Sequence, residues 1–158
     1  MGRGTLQGRF FLAVASLLAL VLAGAAIYGR ARIRRFHRAE VEVRLDTAAE
    51  LLRPRAAAAF AGAEAGTDLV EAIQSLGAAT GLRLTLVAPD GAVLADSEAA
   101  LPVESHADRP EIVGARGTGR GVHARRSATT GVDTLYVAHR IGGPGPAAGF
   151  VRAAAPLE

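Results

Sequence analysis

Between Arg9 and Arg30 the chain runs for 20 residues without a charge, FFLAVASLLALVLAGAAIYG. As an α-helix this run would rise about 1.5 Å per residue and reach about 30 Å, the thickness of a bilayer's hydrocarbon core. Tyr28 falls near one end, at the headgroup level that tyrosine favours. The run is therefore read as a transmembrane helix over 10–29, preceded by a short tail, 1–9. Two other readings compete. Ala23-Gly24-Ala25 resembles the small-residue site of a cleaved signal peptide. A buried core helix would need apolar neighbours on every side, which a body of roughly 120 residues could hardly supply.

The charges around this segment are lopsided. Residues 1–38 hold seven Arg and no acid, whereas residues 39–158 carry a net charge of −4. A basic end on a mildly acidic body argues against a nucleic-acid binder. Only Arg3 and Arg9 precede the apolar run, and Arg30, Arg32, Arg34, Arg35 and Arg38 follow it. Taken alone, the positive-inside rule puts the body in the cytosol. The 30–38 run, with Phe36 interleaved, could also grip anionic lipid headgroups or simply be a solvated helix start. The chain has no Cys, so disulfides, thiol nucleophiles and Cys-ligated metals are excluded.

Residues 30–61 are rich in Ala, Glu, Arg and Leu and read as a juxtamembrane helix. Val41, Leu45, Ala48 and Leu52 are spaced 4, 3 and 4, so they share one face. That face could meet a partner helix in a homodimer, or pack on the domain that follows. Pro54 should end or kink the helix near Leu52 and Arg53. A second helix is expected from Thr67-Asp68, with Glu71 completing a capping box, through Leu69, Val70, Ile73 and Leu76 to Gly77 or Gly81.

Residues 82–88 open with strict alternation and read as a strand. Pro89-Asp90-Gly91 supplies a turn, and 92–96 is the return strand of a hairpin. After a loop over 97–107, Asp108-Arg109-Pro110-Glu111 is a helix start: Asp108 as cap, Pro110 in the first turn, Glu111 reaching back. That helix is expected over 109–115. Strands at 121–128, 134–141 and 149–154 complete a meander. The order predicts an α+β domain over 62–158 with a five-stranded antiparallel sheet.

Few residues could carry chemistry. His106, Asp108 and Glu111 form a weak metal set, since two of the three have capping work, and no metal is expected. Arg109 and Arg126 could hold an anion through their planar forks; otherwise Arg109 would pair with Glu111 or Asp96. Gly117-x-Gly119-x-Gly121 leads into a strand, so no helix N-terminus waits for a phosphate. Ser127 has no His and Asp at useful spacing, so a hydrolase triad is not expected and no residue is assigned as catalytic.

Pro89-Asp90-Gly91-x-Val93-Leu94-Ala95-Asp96-Ser97, then His106-x-x-Arg109-Pro110-Glu111-Ile112, then Gly119-x-Gly121, Arg126-Ser127 and Tyr136-Val137-Ala138 are similar to the extracytoplasmic sensor region of bacterial sensor histidine kinases of the phosphate-regulon type. The resemblance covers about residues 8–158. It implies a membrane helix, a long helix and a PAS-like domain, in which the His106 to Glu111 piece closes a loop onto the sheet. The candidate ligand contacts, His106, Arg109 and Arg126, come from their side-chain chemistry; the resemblance implies a homodimer in the cell (inner) membrane. A second membrane helix and a kinase core would follow, and with them ATP, Mg and a response regulator as partner. This chain has none of that machinery: no His is followed by the pattern of a phospho-accepting helix, and no Asn is present for an ATP site. It is therefore read as the sensor portion of a larger protein, with no cofactor of its own. The alternative is a stand-alone membrane-anchored binding protein. The family orientation, body outside, opposes the arginine count and is preferred, because large domains translocate with little regard to charge.

Overall fold

The computed structural model describes residues 6–62, 66–98, 104–127, 130–143 and 145–157. Arg3, the middle of the 97–107 loop and Ala128 at the expected end of a strand lie outside the described residues. The chain divides into two units, Met1–His37 and Arg38–Glu158. The first contains the whole apolar run, inside helix α1 (Leu6–Phe60). An 18-residue window of that helix has a mean hydropathy of 2.6, and none of it is buried. Phe10, Phe11 and Leu20 are each more than 70% exposed, as a segment made for a lipid environment would be in its absence.

In the second unit, α1 is followed by α2 (Gly66–Thr80), the hairpin β1 (Arg83–Val87) and β2 (Val93–Asp96), α3 (Pro110–Thr118), and the strands β3 (Arg120–Arg126), β4 (Asp133–Ile141) and β5 (Gly149–Pro156). The sheet is five-stranded and antiparallel throughout, in the order β2-β1-β5-β4-β3. The α+β class, the hairpin and the meander are as the sequence predicts.

Side chains alternate across the sheet. Leu84, Leu86, Leu135, Val137, Ile141, Val151, Ala153 and Ala155 form one core with α1 and α2. Val41, Leu45, Ala48 and Leu52 all belong to it and are at most 5% exposed. The stripe is thus spent on the domain's own sheet, which corrects its reading as a dimer contact. Beside it, Glu42, Asp46 and Glu50, again four apart, meet the strands. Arg120 donates to Glu42 and Asp46, and His139 lies 2.8 Å from Asp46 Oδ1 and 3.0 Å from Glu50 Oε1. Burial pushes the Asp46 carboxyl up, but hydrogen bonds from Arg120 and His139 outweigh that and hold it below its ordinary value.

Pro54 does not end α1, which continues to Phe60. Leu52 and Ala56, on either side of it, are both buried in the core, while Pro54 itself is exposed. Packing and the following alanines offset the roughly 3 kcal/mol that an interior proline costs. Gly77, one of two expected stops for α2, is inside the helix; a Cβ there would fall 2.5 Å from Ser97 Cβ. The stop is at Gly81, with φ +66°. Thr67 and Asp68 lie within the first turn of α2 rather than before it.

Candidate ligand-binding site

The opposite face of the sheet carries the loop before α3 and α3 itself. Toward the start of β5, α3 packs its Ile112 and Ala115 on Val87, Ala138 and Phe150. Toward the end of β5 the same face turns polar and is left partly open, forming a cavity of about 340 Å³. Its floor is Arg152 and Ala154 of β5, Tyr136 and Thr134 of β4, and Arg125 of β3. Arg83, His106 and Arg109 stand at its sides. A larger cavity, about 610 Å³, lies between the end of α1, the start of α2 and the hairpin, but only Thr67 and Glu71 among its lining residues bring polar side chains. Specific small-molecule sites need convergent polar groups, so the smaller cavity is the candidate.

The hairpin turn and the His106 to Glu111 piece, which the sequence pairs as motifs, touch. The His106 amide donates to the Gly91 carbonyl at 2.8 Å. Gly91 has φ +93°, and a Cβ on it would fall 2.3 Å from the Ala107 nitrogen, so both conformation and contact require glycine. Asp90 accepts from the Ala92 amide at 3.0 Å and shapes the turn. Ser97 accepts from the Leu84 amide at 2.9 Å and closes the hairpin. Asp96 is buried and held by Arg83, whose Nε lies 3.1 Å from each carboxylate oxygen, and by Thr85 at 3.0 Å.

Several expectations for the helix start need correction. Asp108 is exposed and does not cap; the N-cap position is Arg109, with φ −67° and ψ 130° and no side-chain cap bond. Pro110 forces this, since the residue before a proline is driven to extended backbone. Arg109 pairs with Glu104 at 3.3 Å rather than with Glu111 or Asp96. Glu111 does not reach back to the helix start. It is fully buried, and its Oε1 accepts from Arg152 Nε at 2.9 Å and Arg125 Nη2 at 3.1 Å. Both guanidiniums also lie over Tyr136, 4.4 Å and 4.0 Å from its ring centre. Among the described residues no three His, Asp or Glu gather as a metal set.

Arg126 is exposed on the face that carries Leu135 and Val137, away from the cavity; its neighbour Arg125 is the one that enters. His106 and Arg109, by contrast, line the cavity. The residues missed from the sequence are Arg125, Arg152 and Tyr136. Arg152 interrupts a strand otherwise made of Gly, Phe, Val, Ala and Pro, and a lone charge on such a strand is a signal of a buried partner.

The electrostatics favour an anion on the floor. Glu111 neutralises one of its two arginines, so the buried group carries one excess positive charge. Burial pushes the Glu111 carboxyl up, but the Arg152 charge and hydrogen bonding outweigh it and hold it below the usual value. Burial also lowers Arg152, and Glu111 opposes that. Glu111 Oε2, Arg125 Nε and His106 Nδ1 are buried without a hydrogen-bond partner among the described residues, and groups so placed call for ligand or solvent.

His106 has its pKa lowered to about 4, by burial first and then by Arg152 and Arg109. The unfolded chain takes up this proton below pH 6.5, and the folded one only near 4. Stability is therefore complete above pH 6.5 and falls as pH drops toward 4. Between pH 7 and pH 5 the loss should be about 2 kcal/mol. His106→Gln should remove that share of the slope in urea unfolding measured at the two pH values; an unchanged slope would refute the assignment.

No protein-family model and no curated protein matches the chain. Solved structures do. The V. cholerae histidine kinase DctB sensor domain is similar at a TM-score of 0.69 and 13% identity, over 90% of this chain and 58% of that one. This is a sensor-domain fold. The ligand-binding domain of the Campylobacter jejuni chemoreceptor Tlp3, solved with 4-methylisoleucine, is similar at a TM-score of 0.55 and 12% identity, over 78% of this chain and 55% of that one. That of the Pseudomonas fluorescens chemoreceptor CtaA, solved with L-alanine, gives 0.51 and 15%, over 74% and 58%. The chain thus spans less than two thirds of the length of these sensor domains.

Proposed function

We propose that the chain is the signal-input module of a membrane-anchored receptor and binds a small carboxylate in the cavity over Arg125, Arg152 and Tyr136. The observation that carries the reading is the shared Glu111: one buried carboxylate against two guanidiniums leaves a fixed positive charge on the floor. Planar guanidinium forks suit a carboxylate, and a cavity of about 340 Å³ suits a molecule of a few carbons. The sensor-domain fold and the apolar segment of α1 support a role in carrying a stimulus toward a membrane.

The full receptor is proposed as a dimeric sensor histidine kinase in the bacterial cell membrane, with the domain on the outer side. Its kinase core would bind ATP and Mg and pass a phosphoryl group to a response regulator. Kinship with phosphate-regulon sensors is part of the proposal, on the motifs at 89–97, 106–112, 119–121, 126–127 and 136–138. Ligand binding would bias two states of the module by its difference in affinity for them, typically 1–3 kcal/mol.

The test is calorimetric titration of the full chain in detergent with a panel of short mono- and dicarboxylates, amino acids and their uncharged amides. At least one carboxylate should bind and its amide should not. Arg125→Gln should weaken that binding roughly 10- to 100-fold, the worth of a charge-assisted hydrogen bond. Binding indifferent to the carboxylate, or to Arg125→Gln, would overturn the reading.

A further inference from the structure

We infer that Arg30, Arg32, Arg34 and Arg35 form a collar that binds anionic phospholipid headgroups where α1 leaves the membrane. The inference rests on the membrane-anchored reading and adds to it a lipid preference. All four side chains are exposed. No Asp or Glu occurs in residues 1–39, so the chain near them offers no counter-charge. Arg30 and Arg34, four apart on a helix, repel one another, and an external anion relieves that.

Three features favour headgroups as that anion. First, the collar begins directly after the apolar run. From Arg30 to Arg35 it covers about 7.5 Å of helix axis, close to the depth of one headgroup layer. Second, at about 100° per residue the four arginines stand near 0°, 200°, 40° and 140° around the axis. Charges spread over about 200° of the circumference suit an anion present on several sides of the helix, whereas a protein or nucleic acid would meet one side. Third, aromatic residues hold Arg32 in place: it donates to the Tyr28 hydroxyl at 3.3 Å and lies 5.2 Å from the Phe36 ring centre. Tyr28, Ile33 and Phe36 are all more than 60% exposed, and an amphipathic ring such as that of Tyr28 settles at the headgroup boundary.

The experiment uses the full chain reconstituted in phosphatidylcholine vesicles with trace spin-labelled phosphatidylglycerol or phosphatidylcholine. The association constant for phosphatidylglycerol should exceed that for phosphatidylcholine about fivefold or more at low ionic strength, and fall toward equality in about 0.5 M salt. Replacing the four arginines by Gln should abolish the preference, and replacing them by Lys should keep it. Equal association in the wild type, or an unchanged preference in the Gln variant, overturns the inference. So does loss of the preference to millimolar inorganic phosphate at constant ionic strength, which would mean a free-phosphate site, or to short single-stranded DNA. Release of the chain from vesicles by alkaline extraction would overturn the anchored reading as well, and is scored separately.

Discussion

Glu111→Gln is expected to destabilise the domain by about 3–5 kcal/mol, measured by urea unfolding at pH 7. The size follows from what is left behind. Arg152 and Arg125 both donate to the Glu111 carboxylate, and Arg152 is 5% exposed. A neutral amide leaves two cations without a counter-charge at the base of α3. Replacing Glu111 by Leu and Arg152 by Met together should recover much of the loss, because removing a buried pair costs far less than breaking it. The wild type should also carry an acid limb that the Gln variant lacks. With Glu111 held below its ordinary value, its stabilisation is present above the unfolded carboxylate pKa and disappears as pH falls through the lower folded value. A Gln variant within 1 kcal/mol of wild type would mean that the charge group does not hold α3 down.

Leu45 is the second site of large effect. It is fully buried between α1 and the sheet, so Leu45→Ala should cost about 2–5 kcal/mol. Leu45→Glu together with Leu52→Glu should unfold the domain outright. Were the stripe a dimer contact, the same double change would separate subunits and leave the thermal transition in place. Circular dichroism melting and sedimentation, run on the same samples, distinguish the two. Val43→Glu is the control. Val43 is 64% exposed, and surface changes of this kind usually stay within about 0.5 kcal/mol.

The elements that sequence reveals here are those set by local chemistry. Alternation and the Pro89-Asp90-Gly91 turn placed the hairpin, and Pro110 placed the start of α3. What sequence reading missed depends on partners far along the chain. Glu111 looks like a capping residue to its own turn, but Arg152 lies 41 residues away and takes it into the interior. Arg126 is the arginine that the sequence offers as an anion contact, yet the strand pattern points to Arg125. Val122 and Ala124 pack against the main core, and alternation puts Arg126 on that same side and Arg125 on the other. The three acids at 42, 46 and 50 likewise lie at helical spacing beside the apolar stripe, yet their significance appears only once β3 and β4 bring Arg120 and His139 opposite.

β3 is an edge strand, bonded to β4 alone. One of its faces grips α1 through Arg120, and the other supplies Arg125 to the cavity floor. The strand at this end of the sheet with the fewest backbone bonds to hold it thus touches both the pocket and the long helix. Held by backbone bonds on one side only, it joins the cavity floor to the carboxylate row of that helix through its own two faces.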